Sequence, residues 1–254
     1  MAQNDRQRQI LELVRQRGFV SIEELAGHFA VTPQTVRRDV NRLCARSLLR
    51  RYHGGAGLPS SVENATYQSR QVLHLNEKRR IAAAVVQAVP DGASLFINSG
   101  TTMEQVARAL LKHRSLRIIT NNLHVAHILA ENEGFEVLVA GGQVSRRERG
   151  LIGEATKEFI VQFKTDLCIL GVGGIDEDGT LLDFDFREVR VSQAMVANAR
   201  QLFVAADHSK FGRAAMARLG VLTEADIFFT DRPPPARIRV LLKREQTELR
   251  LARD

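Results

Sequence analysis

Residues 32–43 read TPQTVRRDVNRL and carry a complete helix signal. Thr32 can cap a helix through its hydroxyl, and Pro33 fits the first helical position, where its missing amide hydrogen costs nothing. At 100° per residue, the apolar side chains fall on one face and the polar ones on the other. The apolar face consists of Val36, Val40 and Leu43, and the polar face of Gln34, Thr35, Arg38, Asn41 and Arg42. This segment predicts a helix that packs through one side and exposes a basic surface on the other.

Two more helices are predicted upstream of this segment. Apolar residues at helical spacing run from about residue 5 to Gly18, which ends the first helix. Ser21 and Glu24 can form a capping box, which predicts a second helix up to about Phe29. Two short helices joined by a tight turn, the second with an exposed basic face, are typical of a helix-turn-helix whose second helix enters the major groove of DNA.

Downstream, residues 48–57 read LLRRYHGGAG and predict a strand, a glycine turn and a return strand. Such a hairpin is the wing of a winged helix-turn-helix, with its charged side chains along the phosphate backbone or in the minor groove. A connecting hairpin with solvated charges is the alternative. Pro59, Ser60 and Ser61 then indicate a linker. We expect a DNA-binding domain over residues 1–58 and a linker over residues 59–75.

The candidate DNA contacts divide by role. Gln34 can pair with adenine and Arg38 with guanine edges, whereas Thr35 and the helix N-terminus suit a phosphate. Arg37 lies to one side of the exposed face and is assigned to the DNA backbone. The full set comprises Thr32, Pro33, Gln34, Thr35, Arg37, Arg38, Asn41, Arg42, Arg50, Arg51 and His53. A three-helix packing module with a solvated basic face is the alternative interpretation.

The distribution of charge favours the nucleic-acid interpretation. The chain has 254 residues and a formal net charge of +7. Residues 1–58 hold ten arginines, no lysine and five acidic residues, so most of the excess charge lies in this quarter. A basic head gains affinity for DNA by releasing counterions from phosphates.

The two cysteines and the apolar runs indicate the compartment. Cys44 and Cys168 lie far apart without a CxxC pair, so we expect no disulfide framework and no zinc site. The polar start and the absence of a long apolar run predict neither a secretory leader nor a membrane span. We therefore expect a cytoplasmic protein.

Beyond residue 75, strand-like and helical segments alternate. This order predicts an α/β domain with a mostly parallel sheet over residues 76–254. The strand-like runs are Leu95–Ile97, Leu116–Thr120, Phe135–Ala140, Leu167–Gly171, Leu202–Ala206 and Ile227–Thr230. In such sheets ligands bind beyond the carboxyl ends of the strands.

Several loops at those strand ends carry groups suited to an anion. Ser99, Gly100, Thr101 and Thr102 follow the first run and open a helix, whose amides and dipole could hold a phosphate. Lys210 adds a cation after a later strand. Each turn taken alone is equally consistent with a structural role. Their shared position at strand ends favours a site for a small phosphate monoester.

The chain resembles the DeoR family of transcriptional regulators in both halves. The resemblance rests on Ser21–Leu25, residues 32–40 and residues 53–56 in the first half, and on residues 99–102 and 207–210 in the second. The family implies an operator-binding head, in which Asp39 and Leu43 pack the recognition helix, and a sensor domain similar to ribose-phosphate isomerases. The implied effector residues are Ser99, Gly100, Thr101, Thr102, Thr120, Asn121, Gly142, Gly173, Glu188 and Lys210.

These observations predict a transcriptional repressor relieved by a small sugar- or polyol-phosphate. Residues 207–213 are most like family members that respond to glycerol 3-phosphate. Because operator half-sites mirror protein symmetry, we expect a homo-oligomer, either a dimer or a tetramer, on double-stranded DNA. No cofactor, metal ion or membrane is expected as a partner.

An active sugar-phosphate isomerase with a DNA-binding head is the rival hypothesis. Such an enzyme needs a lysine and acids after the Cys168 strand, and no lysine lies between Lys164 and Lys210. The acids present are Asp176, Glu177, Asp183, Asp185 and Glu188, of which only Glu188 is assigned to the effector. We therefore expect no turnover.

Two further alternatives concern the histidines and the DNA. His124 and His127 are assigned to a helix surface and not to a metal, because no third ligand is near in sequence. An activator would bind DNA in the same way as a repressor, so only the resemblance favours repression. A DNA-bending protein would need apolar wedge residues in the basic head, which the sequence does not provide.

Overall fold

The computed structural model describes residues 5–17, 19–46, 48–52, 54–57, 67–146 and 149–252. The chain divides into two units, Met1–Glu63 and Asn64–Asp254. The helix-turn-helix segment lies in the first unit and the alternating strands and helices lie in the second. Within the described ranges, no helix combines the length and the apolar character that crossing a membrane requires.

The first unit contains the three expected helices and a small antiparallel sheet. The helices are α1 (Asp5–Arg17), α2 (Ile22–His28) and α3 (Pro33–Ala45). The strands are β1 (Phe19–Ser21), β2 (Arg50–Tyr52) and β3 (Gly55–Gly57), paired in the order β1-β3-β2. The β2–β3 hairpin is the predicted wing. Strand β1 was not predicted, because three residues are too few to show an alternating pattern.

Local hydrogen bonds explain where α2 and α3 begin. The Glu24 amide donates to Ser21 Oγ at 3.1 Å, and the Ser21 amide donates to Glu24 Oε2 at 2.8 Å. At the next helix, the Thr35 amide donates to Thr32 Oγ1 at 3.3 Å. Each such cap stabilises a helix by about 1 kcal/mol. The start of α3 is therefore set by its own first four residues.

The core of the first unit holds α3 through its apolar face. Val36, Val40 and Leu43 are at most 1% exposed and pack in one cluster with residues of α1 and α2, including Ile10 and Leu25. Burying a side chain of this size contributes roughly 1.5–3 kcal/mol. Rotating α3 would expose this stripe, so the opposite, polar face stays on the surface.

A seven-stranded parallel sheet forms the centre of the second unit. Its order is β15-β14-β12-β9-β4-β5-β6. The strands are β4 (Ser94–Ile97), β5 (Arg117–Thr120), β6 (Glu136–Val139), β9 (Thr165–Gly171), β12 (Ala199–Ala205), β14 (Ile227–Thr230) and β15 (Glu248–Leu251). All six predicted runs are strands of this sheet, which confirms the predicted fold class.

The second unit also contains short antiparallel strands, helices and 3₁₀ turns. A hairpin pairs β7 (Gln143–Val144) with β8 (Leu151–Ile152), and a second antiparallel sheet contains β10 (Gly174–Ile175), β11 (Thr180–Asp183) and β13 (Ala217–Val221). The helices are α4 (Tyr67–Val72), α5 (Leu75–Val86), α6 (Thr101–Leu110), α7 (Leu123–Leu129), α8 (Glu154–Ile160), α9 (Phe186–Ala197) and α10 (Ala236–Arg244). Single 3₁₀ turns span His208–Lys210 and Leu222–Glu224.

Helices cover both faces of the large sheet. Along β4, Leu95 and Ile97 belong to one buried cluster with α5, α6 and α7, whereas Phe96 belongs to a second cluster with α8, α9 and α10. Alternate residues of a strand point to opposite faces, so both faces must be apolar when both are covered. This explains why the strands read as nearly continuous apolar runs.

The direction of winding reverses between β4 and β9. From β4 the chain proceeds to β5 and β6 on one side and then returns to β9, β12, β14 and β15 on the other. Asn98 joins the two central strands, since its Nδ2 donates to Gly171 O at 3.0 Å and its Oδ1 accepts from the Gly171 amide at 2.8 Å. A switch of this kind opens a crevice at the carboxyl ends of the strands, where ligands bind.

The predicted linker ends earlier than residue 75. Residues 58–66 lie outside the described part of the chain, and residues 67–72 already form α4. Tyr67 and Arg70 of that helix are 7% and 8% exposed within the second unit. This helix has six residues, and its buried side chains, among those that the structure describes, are a tyrosine and an arginine. It therefore lacks the repeating apolar residues by which a helix is predicted from sequence.

Candidate functional sites

The polar face of α3 is open to solvent, as a DNA-reading surface must be. Its half-buried member is Thr35, whose hydroxyl lies 3.0 Å from that of Thr32. The exposed members are Thr32, Pro33, Gln34, Arg37, Arg38, Asn41 and Arg42. Among the residues that the structure describes, no carboxylate pairs with Arg37, Arg38 or Arg42. These three guanidinium groups are therefore available to an anionic partner.

Asp39 has an internal role. Its carboxylate is 2% exposed and accepts from Arg6 Nε at 2.7 Å and from Gln7 Nε2 at 2.9 Å. Both donors belong to α1, so this buried network fixes α3 against α1. The packing role that the family resemblance implied for Asp39 agrees with this geometry.

The wing brings a further cation to the same surface. Arg51 is exposed, and its Nη1 donates to Asn41 Oδ1 of α3 at 3.4 Å. Arg50 is half-buried on the same strand. His53, predicted to contact DNA, lies outside the described residues. The wing and the exposed face of α3 thus form one basic surface within the first unit.

In the second unit, a cavity lies at the switch point between β4 and β9. Six of the ten predicted effector residues line it, namely Ser99, Gly100, Thr101, Thr102, Gly173 and Lys210. The other lining residues are Arg70, Gly171, Val172 and Asp183. Loops after three neighbouring strands and α4 therefore meet at one small, polar site.

The floor of this cavity is the start of α6. Gly100 caps the helix with φ +138°, a backbone conformation that side-chain-bearing residues rarely adopt. Thr101 and Thr102 follow in the first turn and are each 6% exposed. The free amides and the positive end of the dipole at a helix start favour an anion. The sequence prediction for this loop agrees with its position.

Two cationic side chains, Arg70 and Lys210, line the cavity, and Arg213 and Lys78 are close enough to act on the charge of Lys210. Burial lowers the pKa of Lys210 to about 8, and the positive charges of Arg213, Arg70 and Lys78 act in the same direction against the carboxylate of Asp207. Bringing several cations together in a partly buried site is unfavourable unless an anion joins them. The electrostatics of this cavity therefore suit a multiply charged anion such as a phosphate monoester.

Sequence reasoning missed Arg70, Lys78 and Arg213. Lys78 is 3% exposed, and its Nζ donates to the backbone oxygens of Arg70 and Leu73 at the end of α4. Burial lowers the pKa of this ammonium group. The sequence shows that Lys78 is charged, but it does not show that Lys78 lies near Lys210. That proximity depends on how α4 and α5 pack against the sheet.

Four predicted effector residues do not line this cavity, and three of them are Thr120, Asn121 and Gly142. Thr120 Oγ1 donates to Ile97 O at 2.7 Å, and Asn121 Nδ2 donates to Leu151 O at 3.0 Å. A Cβ on Gly142 would lie 2.0 Å from Thr156 Oγ1, so this glycine allows α8 to pack. Thr120 ends β5, Asn121 follows it and Gly142 lies after β6, and both strands are on the far side of β4 from the switch point. These residues do not line this cavity, and their assignment to the effector stays a prediction.

Glu188 does not line the cavity, but it contacts Ser99, which does. It is 4% exposed on α9, and its Oε2 accepts from Ser99 Oγ at 3.4 Å. The assignment of Glu188 to the effector stays a prediction.

The acids considered for catalysis have structural partners. Asp185 caps α9 through the Arg187 amide at 2.9 Å and pairs with the Arg187 guanidinium at 2.8 Å. Asp183 lines the cavity and accepts from the Phe184 amide at 2.7 Å. Among the described residues, Lys210 is the lysine that lines the cavity. The arrangement provides groups that bind an anion.

The structure also shows where the two histidines considered as metal ligands and the two cysteines lie. His124 stacks on Tyr67 with ring centroids 5.3 Å apart, and His127 is exposed on α7. Cys44 and Cys168 are free thiols, and burial raises their pKa to about 11 and about 12.

Family models match both units. The model described as DeoR-like helix-turn-helix domain matches residues 6–62, and the model described as DeoR C terminal sensor domain matches residues 73–232.

Named relatives extend over nearly the whole chain. The glycerol-3-phosphate regulon repressor of Escherichia coli K12 is 49% identical, covering 99% of this chain and 100% of the relative. The protein of the same name from Haemophilus influenzae is 48% identical, with coverages of 98% and 97%. The HTH-type transcriptional repressor CsqR of Escherichia coli K12 is 43% identical, with coverages of 99% and 96%.

Solved structures share parts of the architecture at low similarity. Ribose 5-phosphate isomerase A from Neisseria gonorrhoeae matches with 16% identity and a TM-score of 0.39, covering 56% of this chain and 54% of that one. The eIF2B beta protein from Chaetomium thermophilum matches with 14% identity and a TM-score of 0.47, covering 68% and 54%. Neither likeness bears on activity.

Proposed function

The chain belongs to the DeoR family, and from this we propose that it is a transcriptional repressor whose operator affinity falls when a phosphorylated polyol or sugar binds its sensor domain. Glycerol 3-phosphate is the first candidate effector, because two of the similar proteins are named for the regulon of that compound. The cluster of cations at the switch point is the observation that carries this proposal.

The chemistry of the cavity supports a phosphate monoester. A dianionic phosphate can accept from the amides at the start of α6, from the hydroxyls of Thr101 and Thr102, and from Lys210. Each hydrogen bond to a charged group contributes about 1.5–3 kcal/mol. An uncharged polyol would form no charge-assisted hydrogen bonds in this cavity. We therefore expect the phosphate group to contribute most of the binding free energy of the effector.

On the DNA side, α3 would enter the major groove. Gln34 and Arg38 would then face base edges, while Arg37, Arg42 and the wing arginines would hold phosphates. One such module recognises few base pairs, so we propose that a dimer or tetramer binds paired half-sites. As a regulator of transcription, the chain would work in the cytoplasm.

Helix α4 is our candidate for linking the two functions. Its Arg70 lines the cavity, and Arg70 O accepts from Thr101 Oγ1 at 3.3 Å. A phosphate that recruits the Thr101 hydroxyl would take this donor away from α4. The Tyr67 hydroxyl also donates to Glu104 Oε1 of α6 at 2.5 Å. Because α4 lies within residues 59–75, the segment predicted to link the two domains, its position would govern the DNA-binding heads.

Operator binding in the presence of candidate effectors tests the proposal. Fluorescence anisotropy with a labelled operator should show weaker binding with glycerol 3-phosphate and no change with glycerol. Isothermal titration should show that the same phosphate binds the protein alone. Indifference of operator binding to all sugar- and polyol-phosphates tested would rule out this form of induction.

We propose further that the chain has no isomerase activity. The cavity has one lining lysine among the described residues, and the nearby acids serve as caps and ion pairs. Incubating the protein with sugar phosphates and following aldose–ketose conversion by NMR should give the background rate. A clear excess over background would make the chain an enzyme.

A further inference from the structure

Two histidines and a carboxylate meet at the carboxyl end of β12, beside the effector cavity. They are His74, Asp207 and His208, which we call the histidine cluster. One ligand atom from each lies within 4.8 Å of the others. The rings of His74 and His208 are 4.8 Å apart between centroids, at an interplanar angle of 78°. These residues come from the start of α5 and from the 3₁₀ turn after β12, so only the tertiary fold joins them.

His208 is oriented by a buried carboxylate. Its Nδ1 lies 2.8 Å from Asp231 Oδ2, and the side chain of Asp231 is fully buried. The His208 amide also donates to Asp231 Oδ1 at 2.7 Å. A carboxylate that accepts from one ring nitrogen leaves the other as a lone-pair donor, and metal-binding histidines are usually held in this way. The bond to Asp231 therefore prepares Nε2 of His208 for a ligand.

His74 is held in an unusual backbone conformation. It stands just before α5 with φ +54°, and its side chain caps no amide of that helix. A left-handed conformation at a residue with a β-carbon costs roughly 1–3 kcal/mol and persists where the surroundings fix it. The ring is thereby presented to His208 and not to its own helix.

Asp207 supplies an anionic oxygen. Burial alone would raise the pKa of Asp207, but Lys210, two hydrogen bonds from Ser209 and the nearby His74 together hold it below its usual value. Its Oδ1 accepts from the Ser209 amide at 2.9 Å. Lys210 and Arg232 add positive charge nearby, while Asp207 and Asp231 add two negative charges.

We propose that His74, Asp207 and His208 bind one divalent transition-metal ion, with Asp231 as the outer partner of His208. Two imidazoles and one carboxylate are typical ligands for Zn²⁺ and its neighbours, whereas Mg²⁺ and Ca²⁺ prefer oxygen atoms alone. Ligand atoms around a tetrahedral Zn²⁺ lie about 3.3 Å apart, so small side-chain rotations would close the cluster. Three protein ligands leave a fourth position open. None of the three ligands is among the proposed effector contacts, although Asp207 is close enough to Lys210 for their charges to interact.

Zinc titration of the untagged, full-length protein after removal of trace metal tests this proposal. Calorimetry should show uptake of one Zn²⁺ per chain, and X-ray absorption at the zinc edge should show two imidazole nitrogens and no sulfur. No saturable uptake at micromolar metal, or a coordination sphere with fewer than two imidazoles, would overturn it. The absorption spectrum needs no variant, so it remains decisive even if a substitution impairs folding.

Variants then assign the ligands. His74→Asn keeps a residue that tolerates a left-handed backbone, and His208→Asn keeps a donor for Asp231 while removing Nε2. Each should weaken zinc binding by at least the roughly 10–100-fold seen for loss of supporting groups around metal sites. His127→Asn, at an exposed histidine on α7, is the matched control and should bind zinc like the parent. Equal zinc affinity in all three variants would place the ion elsewhere.

Discussion

At the scale of single residues, the same side-chain type serves different purposes according to its surroundings. Asp39 is buried between Arg6 and Gln7 and stabilises the first unit. Arg38, one position earlier on the same helix, is exposed and has no carboxylate partner among the described residues. The helical period of residues 32–43 placed Arg38 on the exposed face, whereas the packing role of Asp39 was implied by the family resemblance.

Replacing Arg38 tests whether it reads a base. Arg38→Ala should weaken binding to a specific operator by on the order of 1–3 kcal/mol and change binding to random DNA much less. Anisotropy titrations at one fixed salt concentration compare the two DNAs. Arg8→Ala, at an arginine of α1 that lies near Asp5, controls for the loss of one positive charge. Equal losses on both DNAs would make Arg38 a phosphate contact.

Lys210 provides the corresponding test for the cavity. Lys210→Ala should leave operator binding intact and weaken glycerol 3-phosphate binding by roughly 10–150-fold, the equivalent of one charged hydrogen bond. Calorimetry measures the effector and anisotropy measures the operator. Lys243→Ala, at an exposed lysine of α10, is the control. If repression and induction both survive in Lys210→Ala, the effector binds at a different place.

At the scale of elements, close packing decides which glycines matter. Gly142 has φ +147°, and a Cβ there would also lie 2.8 Å from Ile152 O. Gly92 has φ +77°, yet a Cβ there would contact nothing within 4 Å. Gly142 was assigned to the effector through the family resemblance, whereas a glycine turn after a strand, taken alone, is equally consistent with a packing role.

The two glycines form a matched pair for a stability test. Gly92→Ala should cost about 1–2 kcal/mol for the left-handed backbone alone. Gly142→Ala should cost more, because the new methyl group collides with Thr156 and with backbone that cannot move freely. Thermal unfolding followed by circular dichroism measures both. Similar melting temperatures for the two variants would show that the β8–α8 region yields more easily than its packing suggests.

At the scale of the whole molecule, α4 carries the proposed route from the cavity to the DNA-binding unit. Tyr67 of this helix contacts three partners, the carboxylate of Glu104, the amide of Gln71 and the ring of His124. The guanidinium of Arg149 also lies 4.9 Å from the Tyr67 ring centroid. A helix tied to α6 in this way can transmit a displacement of the phosphate loop.

Removing the Tyr67 hydroxyl tests this coupling. In Tyr67→Phe, effector binding by calorimetry should stay within about twofold, whereas the effector's influence on operator affinity should fall by roughly 0.5–2 kcal/mol of coupling. Ser94→Ala, which removes a hydroxyl at the start of β4, the opposite end of that strand from the cavity, is the control. Unchanged coupling in Tyr67→Phe would exclude this contact from the route.

The sequence by itself determined the helices of the DNA-binding unit, the succession of strands along the chain and the loop at residues 99–102 that opens a helix. Each of these depends on local periods, caps and turns, which act between residues close in the chain. Only the tertiary structure decided that Arg70, Lys78 and Arg213 join Lys210, that Thr120, Asn121 and Gly142 do not, and that His74 meets His208. Those groupings follow from which strands neighbour each other across the switch point, and contacts between distant residues leave no periodic trace in a single sequence.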